Sequence, residues 1–437
     1  VRKTANNPDV FLLPFPMHIS PLVRIQRSFP LHPILVRAVA AALHRIFVEQ
    51  HYADKVVEQA LRENPKAGSN DRAFIAETTY DIVRYYRLLV DTFDSKPMSE
   101  TDFWQLVGVY LLTRHLRNPK ESAVELPPWR EFSTMDAAKI IARYQELSAS
   151  RSMRESIPDW MDALGEAELG DQWETTLRHL NIPATVVLRV NRLKNTRENV
   201  QKSLLEEGIE TRLVGKGDAL QLVVRKNVFK TKAFKSGLFE VQDFSSQHVA
   251  TLLAPEPGMR VVDACAGGGG KSLHLAALME SKGQLIALDT LAWKLDALKL
   301  RARRAGASNI ETRPIENRKV IKRLYGKADR LLLDVPCSGL GVLRRNPDSK
   351  WKLKPETIDN LKVIQQDILQ SYSPIVKPGG QMVYATCSIL PTENRQQVDQ
   401  FLASEAGKNW TLVSDRSILP QDEGFDGFYM ALLRKEI

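Results

Sequence analysis

Ile75, Thr79, Ile82, Tyr86 and Leu89 recur every three or four residues, so one face of the chain between them is apolar with the period of a helix. The same spacing predicts an Ala-rich helix over 34–50 and a second run that ends at Asn64-Pro65. The helix carrying the stripe is the third, with Asn70 as its expected cap. Further helices are predicted over 101–117 and 135–147, with two short pieces between 159 and 180. Residues 31–180 therefore read as an all-α domain. Residues 1–30 carry scattered prolines and no sustained period, and a loose extension is expected there.

After Asn181-Ile182-Pro183 the period shortens towards two. Strands are predicted over 186–190, 209–214 and 220–225, and a capped helix over 196–207, giving a small α/β linker module over 181–240. Its end, from Arg225 to Lys235, holds basic residues and no acid, with Phe229 and Phe234 between them. Such interleaving suits phosphate contacts plus base stacking; a solvated charged surface is the plainer reading. Over 241–437 short apolar strands at 260–264, 284–288, 330–335 and 381–385 alternate with helical stretches. That texture predicts a Rossmann-like, doubly wound α/β domain with a parallel sheet.

The 437 residues include 61 Lys+Arg against 52 Asp+Glu, a net charge of +9, which favours a polyanionic partner, with nucleic acid the leading candidate. Three cysteines without a Cys-x-x-Cys pair exclude a disulfide framework and argue against a metal site. A reducing cytoplasm and a monomer are expected. No apolar run reaches the ~18 residues of a membrane span, and the apolar patch at 11–17 is broken by Pro14 and Pro16, so it makes a poor signal peptide.

Three segments carry chemistry. The first is Val261-Val-Asp263-Ala-Cys265-Ala-Gly267-Gly268-Gly269-Gly270-Lys271-Ser272, a strand entering a glycine turn and a helix whose N-terminal N–H groups are open to a ligand. A Walker A loop needs glycine five residues before Gly270, where Cys265 stands. A dinucleotide fingerprint beginning at Gly267 needs Gly or Ala at Ser272. The looser nucleoside turn of class I methyltransferases remains, supported by Asp289 at the end of the next strand, placed to accept hydrogen bonds from ribose hydroxyls. An acid there for packing or capping is the bland alternative. The other two segments are Leu333-Asp334-Val-Pro336-Cys337-Ser338-Gly339 and Tyr384-Ala-Thr386-Cys387-Ser388. A lone free cysteine is more often inert than reactive. Here each follows the carboxyl end of a predicted strand, the edge at which open α/β sheets bind ligands. Neighbouring strands lie ~4.8 Å apart, which would bring both thiols to one planar substrate.

These segments resemble the RsmB/Nop/Sun family of RNA 5-methylcytosine methyltransferases. The similarity runs from about Pro33 to the C-terminus and includes Phe239-Glu-Val-Gln242-Asp243-Phe-Ser-Ser246-Gln247, Asp-x-Pro-Cys-Ser-Gly, Thr-Cys-Ser and Asp426-Gly427-Phe428. The helical half resembles the NusB-like RNA-binding domain of the bacterial ribosomal RNA branch. Two departures stand out: the family's Ala-Pro-Gly-Gly-Lys is Ala266-Gly-Gly-Gly269-Gly270-Lys271, and the Gly-Asp after the third strand is Ile315-Glu316.

The resemblance implies S-adenosylmethionine as cofactor, held by Cys265, Ala266, Gly267, Gly268, Gly269, Gly270, Lys271, Asp289, Lys294, Glu316 and Asp334. It implies a thiolate mechanism on cytosine, with 16S ribosomal RNA as the expected target. Cytosine carbon 5 is a weak nucleophile, and addition of a thiolate to carbon 6 makes it enamine-like. By resemblance Cys387 is the nucleophile, Cys337 assists release, Asp334 hydrogen-bonds the base edge and Lys271 orients the base. A target in structured RNA has to be flipped out. The competing readings are a catalytically silent RNA-binding assembly factor, the same chemistry on transfer RNA, and a nucleotide-hydrolysing or NAD-binding enzyme.

Overall fold

Six amphipathic helices between Pro33 and Leu147 bury their apolar stripes against one another in the computed structural model, which describes residues 31–118 and 121–437. The expectation for 1–30 lies outside the described residues. Val39, Leu43, Ile75, Ile82, Leu89, Phe103 and Val107 meet in one core. Asn70 is not the cap of the third helix. That helix runs Ser69–Arg84 with Gly68 at the N-cap, where Asp71 accepts the Gly68 N–H at 3.2 Å. Its carboxylate reaches back to an otherwise unpaired donor, which Asn70, already inside the helix, cannot do. The apolar stripe also spans two helices, because the backbone turns at Tyr85 before Tyr86–Phe93 begins.

The two short helices Asp159–Leu169 and Trp173–Leu180 form, but they pack elsewhere. Met161, Trp173, Leu177 and Leu180 share a core with Ile358 and with Leu340, Leu343, Ile389 and Leu390, the last four close in sequence to the two cysteines.

The small module is a four-stranded antiparallel sheet of β1 (Val187–Val190), β2 (Thr211–Val214), β3 (Ala219–Leu222) and β4 (Phe239–Val241), in the order β2-β3-β1-β4. Thr196 caps the helix Arg197–Glu206, as its position predicts. The three-residue β4 is too short to show a period and was not expected; it forms because β1 offers it a partner.

The larger sheet holds β5 (Arg260–Asp263), β6 (Gln284–Asp289), β7 (Ile310–Pro314), β8 (Ala328–Asp334), β9 (Val376–Thr386), β10 (Trp410–Ile418) and β11 (Phe428–Lys435), in the order β10-β11-β9-β8-β5-β6-β7. The expected wholly parallel sheet is in fact mixed. β5 to β9 are parallel, whereas β11 runs antiparallel to both β9 and β10. Only residues 419–427 join β10 to β11, too few for the crossover that a parallel neighbour needs. Strand order reverses at β5, which lies between β6 and β8, so a crevice opens there at the carboxyl ends.

The helical bundle docks on the chain just beyond Cys337. The fully buried Lys350 ammonium donates to the carbonyls of Arg84, Glu155 and Ser156 and to Asn181 Oδ1, at 2.7–3.2 Å. Trp351 Nε1 donates to the Val83 carbonyl at 2.7 Å. Among the described residues no helix is long and apolar enough to cross a membrane, and no cluster of His, Cys, Asp or Glu could hold a metal ion.

Candidate active site

β8 and β9 are hydrogen-bonded neighbours with Asp334 opposite Ala385. Cys337 and Cys387 follow within three residues of that register, and their Sγ atoms are 3.4 Å apart. Both face a cavity of about 540 Å³ whose walls include Gln242, Asp243, Lys271, Asp334, Arg345, Asp426 and Phe428. The hydrogen bond with Cys387, burial, and the negative charges of Cys387 and Glu393 push the Cys337 thiol well above its ordinary range.

Lys271 stands in the first turn of the helix Gly270–Leu278, and its Nζ donates to Asp334 Oδ2 at 2.7 Å. Burial disfavours the ammonium, but the Asp334 carboxylate outweighs it and the Lys271 pKa rises. The ammonium also lies 5.0 Å from the Phe428 ring centroid, over an electron-rich face. A fixed cation and a fixed anion thus border the two thiols.

Of the residues expected at the cofactor, Lys271 and Asp334 line this cavity and the others do not. Cys265, Ala266 and Gly267 to Gly270 form the turn after β5, Asp289 ends β6, and Glu316 lies exposed two residues past β7. All lie at the carboxyl edge of the same sheet. Lys294 is half-buried beside the exposed Trp293, 5.9 Å from its ring. The Cys265 thiol packs against the apolar core, and burial pushes its pKa well up, as in an inert structural cysteine.

Glycine is required at 269, where φ is +84° and a Cβ would come within 2.1 Å of Leu298 Cδ1. At Gly267, with φ +53°, a Cβ would meet nothing within 4 Å, so the turn opens onto space. Asp289 accepts the Gly267 N–H at 2.9 Å and the Leu291 N–H at 2.8 Å. The bland role of turn support is therefore real. Each carboxylate oxygen nevertheless accepts only one of these two bonds, and an ionised carboxylate has about four acceptor positions. An open glycine turn beside a carboxylate with unused acceptor capacity fits a ligand that carries vicinal hydroxyls.

Arginines hold the carbonyl side of the turn. Arg301 donates to the Gly268 carbonyl, and Arg189, from β1, to the Gly270 carbonyl at 2.7 Å. Beneath the turn, Ser272 Oγ donates to Asp263 Oδ2 at 2.6 Å while Asp263 Oδ1 has no partner. Burial raises the Asp263 pKa to about 7 despite the Ser272 bond.

Sequence reasoning missed Arg345. Its guanidinium bridges Asp426 Oδ2 at 2.5 Å and Asp243 Oδ2 at 2.6 Å in the cavity wall, joining two motifs that lie far apart in the chain. The signal was the Arg344-Arg345 pair seven and eight residues past Cys337, but nothing local separates it from surface charge.

A mixed sheet of Rossmann type with two thiols and a glycine turn along its carboxyl edge defines the methyltransferase class. Residues 250–434 match the family described as 16S rRNA methyltransferase RsmB/F, and residues 157–228 match its ferredoxin-like domain. The probable ribosomal RNA small subunit methyltransferase B of Synechocystis sp. is 32% identical over 438 residues, covering 88% of this chain and 95% of that protein. The ribosomal RNA small subunit methyltransferase B of Vibrio cholerae is also 32% identical, covering 92% and 98%. The chain belongs to the RsmB/F family. In fold it is similar to the crystal structure of PH0851, with TM-score 0.77 and 24% identity over 94% of this chain and all of that one. NSun6 from Pyrococcus horikoshii with SFG gives TM-score 0.59 and 20% identity over 64% and 98%.

Proposed function

We propose that this chain methylates carbon 5 of a cytosine in RNA, with 16S ribosomal RNA as the target and S-adenosylmethionine as the methyl donor. The observation that carries the reading is the pair of thiols 3.4 Å apart beside the Lys271–Asp334 ion pair. Membership of the family supports ribosomal RNA methylation, and the paired thiols support a covalent route. When bound, S-adenosylmethionine provides an electrophilic methyl group; the open turn at Gly267 to Gly270 and the Asp289 carboxylate would hold it.

Cys387 acts as nucleophile. Its thiolate forms a bond to carbon 6 of the ring and moves an electron pair towards carbon 5, which becomes enamine-like. Cys337 keeps its proton through this step, because its hydrogen bond with the partner thiol and its burial oppose ionisation. Asp334 accepts a hydrogen bond from the base edge, and Lys271 keeps that carboxylate in place while adding positive charge beside the ring. Once carbon 5 has taken the methyl group, whose sulfonium would leave as the neutral thioether, the carbon 5 proton passes to water, its electron pair re-forms the double bond between carbons 5 and 6, and the bond between carbon 6 and sulfur breaks with its pair returning to Cys387. Cys337, still protonated, assists this release by donating its S–H to the departing Cys387 sulfur 3.4 Å away. Proximity contributes most when every group is already placed, as the short contacts here indicate.

The test is transfer of labelled methyl groups to 16S ribosomal RNA from a strain lacking this protein, followed by bisulfite sequencing. A newly protected cytosine is expected. Label without protection would overturn the carbon 5 assignment.

A further inference from the structure

Glu393 is fully buried, and it has no part in the cavity lining. Its Oε1 accepts the Ser338 N–H at 2.8 Å and Gln365 Nε2 at 3.0 Å. Its Oε2 accepts the hydroxyls of Ser338 and Ser388, both at 2.5 Å. Four donors fill the acceptor positions of one carboxylate, and three of them come from the residues that directly follow the two cysteines. Gln365 Nε2 also donates to the Pro336 carbonyl at 3.0 Å, so Cys337 is tied down on both sides. Next to Glu393, Asn394 accepts from Thr386 Oγ1 at 2.5 Å and donates to the Ser388 carbonyl at 3.0 Å, which flanks Cys387 in the same way. A buried carboxylate serving packing alone would not need donors drawn from these two loops.

We infer that Glu393 is a positioning residue which fixes the Cys337 and Cys387 loops at a single spacing by bridging the residues that follow them. This deepens the proposed function and rests on it for the roles of the thiols, though not for the bridge. The bridge depends on shape more than on charge. A glutamine at 393 keeps Oε1 as acceptor for the Ser338 N–H and Gln365, and its amide can donate to the two serine hydroxyls, which rotate to accept. Alanine removes all four bonds.

The experiment compares Glu393→Gln with Glu393→Ala in the full chain, reading kcat, KM for RNA and the Kd for S-adenosylmethionine. Glu393→Gln should keep kcat within about threefold, whereas Glu393→Ala should lose about 100-fold, the penalty expected of reacting groups misplaced by about 1 Å. KM and Kd should stay within about twofold in both, a split that general destabilisation would not produce. Equal losses in the two variants, or a kcat for Glu393→Ala close to wild type, would overturn the inference. If Glu393→Ala does not fold, the double variant Ser338→Ala/Ser388→Ala removes both hydroxyl links and leaves the carboxylate in place. It should show the same kcat loss, and an unchanged kcat would overturn the bridge.

A second readout needs neither RNA nor donor: diamide takes two electrons and two protons from the thiols, and mass spectrometry follows the Cys337–Cys387 crosslink. Its rate should fall at least tenfold in Glu393→Ala and hold in Glu393→Gln, because the effective concentration of one thiol at the other depends on their placement. A crosslink rate indifferent to residue 393 would overturn the inference. A wild-type protein that transfers no methyl group yet shows the Glu393-dependent crosslink would overturn the proposed function and leave the positioning role standing.

Discussion

Fifty residues separate Cys337 from Cys387, yet their Sγ atoms meet at 3.4 Å because the loops that carry them leave neighbouring parallel strands at the same edge. Two thiols that close to each other do not ionise independently. The hydrogen bond with Cys387 and burial both disfavour ionisation of the Cys337 thiol.

Cys387→Ala should abolish both methyl transfer and any covalent protein–RNA species. Cys337→Ala should still attack and methylate but release poorly, so that a slowly migrating protein–RNA band appears on a denaturing gel. That band should vanish in the double variant. Trapping by Cys387→Ala instead would reverse the two roles, and melting-temperature loss without trapping in either would make the thiols structural.

Asp289→Ala should weaken S-adenosylmethionine binding by roughly 1–3 kcal/mol, the value of a charge-assisted acceptor. The carboxylate also supports the Gly267 and Leu291 amides, so part of the loss acts through the turn. Calorimetry decides the matter: an unchanged dissociation constant removes Asp289 from the site.

Lys230 and Lys235 are exposed in the basic segment, as is Phe229 at 57%. Lys226 is engaged with the Gly208 carbonyl at 2.7 Å, and Phe234 is covered by the Arg304 guanidinium at 3.9 Å. Replacing Lys230 and Lys235 by Ala should lower RNA affinity and flatten its salt dependence by ~0.7 log units per lost contact on single-stranded RNA. A salt titration with an unaltered slope would mean that these lysines face only solvent.

Asp263 gives a pH signature. Its folded pKa of about 7 lies above the ordinary 3.8, so between about pH 4 and pH 7 the folded state holds a proton that the unfolded state has lost. Its contribution to stability therefore falls as pH rises through that window and stays at its lowest above it. Asp263→Asn should remove this decline, gaining up to about 4 kcal/mol relative to wild type between pH 4 and pH 8. Urea unfolding of both proteins at the two pH values measures the difference, and parallel pH profiles would refute it.

The periodic spacing of Ile75, Thr79 and Ile82, the Thr196 cap, and the strand-then-cysteine order at Cys337 and Cys387 are local properties, and the sequence by itself determined them. Helix periodicity acts over a few residues, so a linear reading captures it, whereas the start of the third helix at Gly68 and the break at Tyr85 were not legible. The direction of β11 and the existence of β4 were not legible, since a short strand takes its identity from a partner distant in sequence. The glycine turn was legible as a turn, but the guanidiniums of Arg189 and Arg301 that hold its carbonyls come from other elements. Arg345 and Glu393 look like ordinary surface charges in the chain. Only the tertiary structure buries Glu393 under four donors and sets Arg345 between Asp243 and Asp426, because burying a charge demands partners that no neighbour in sequence supplies.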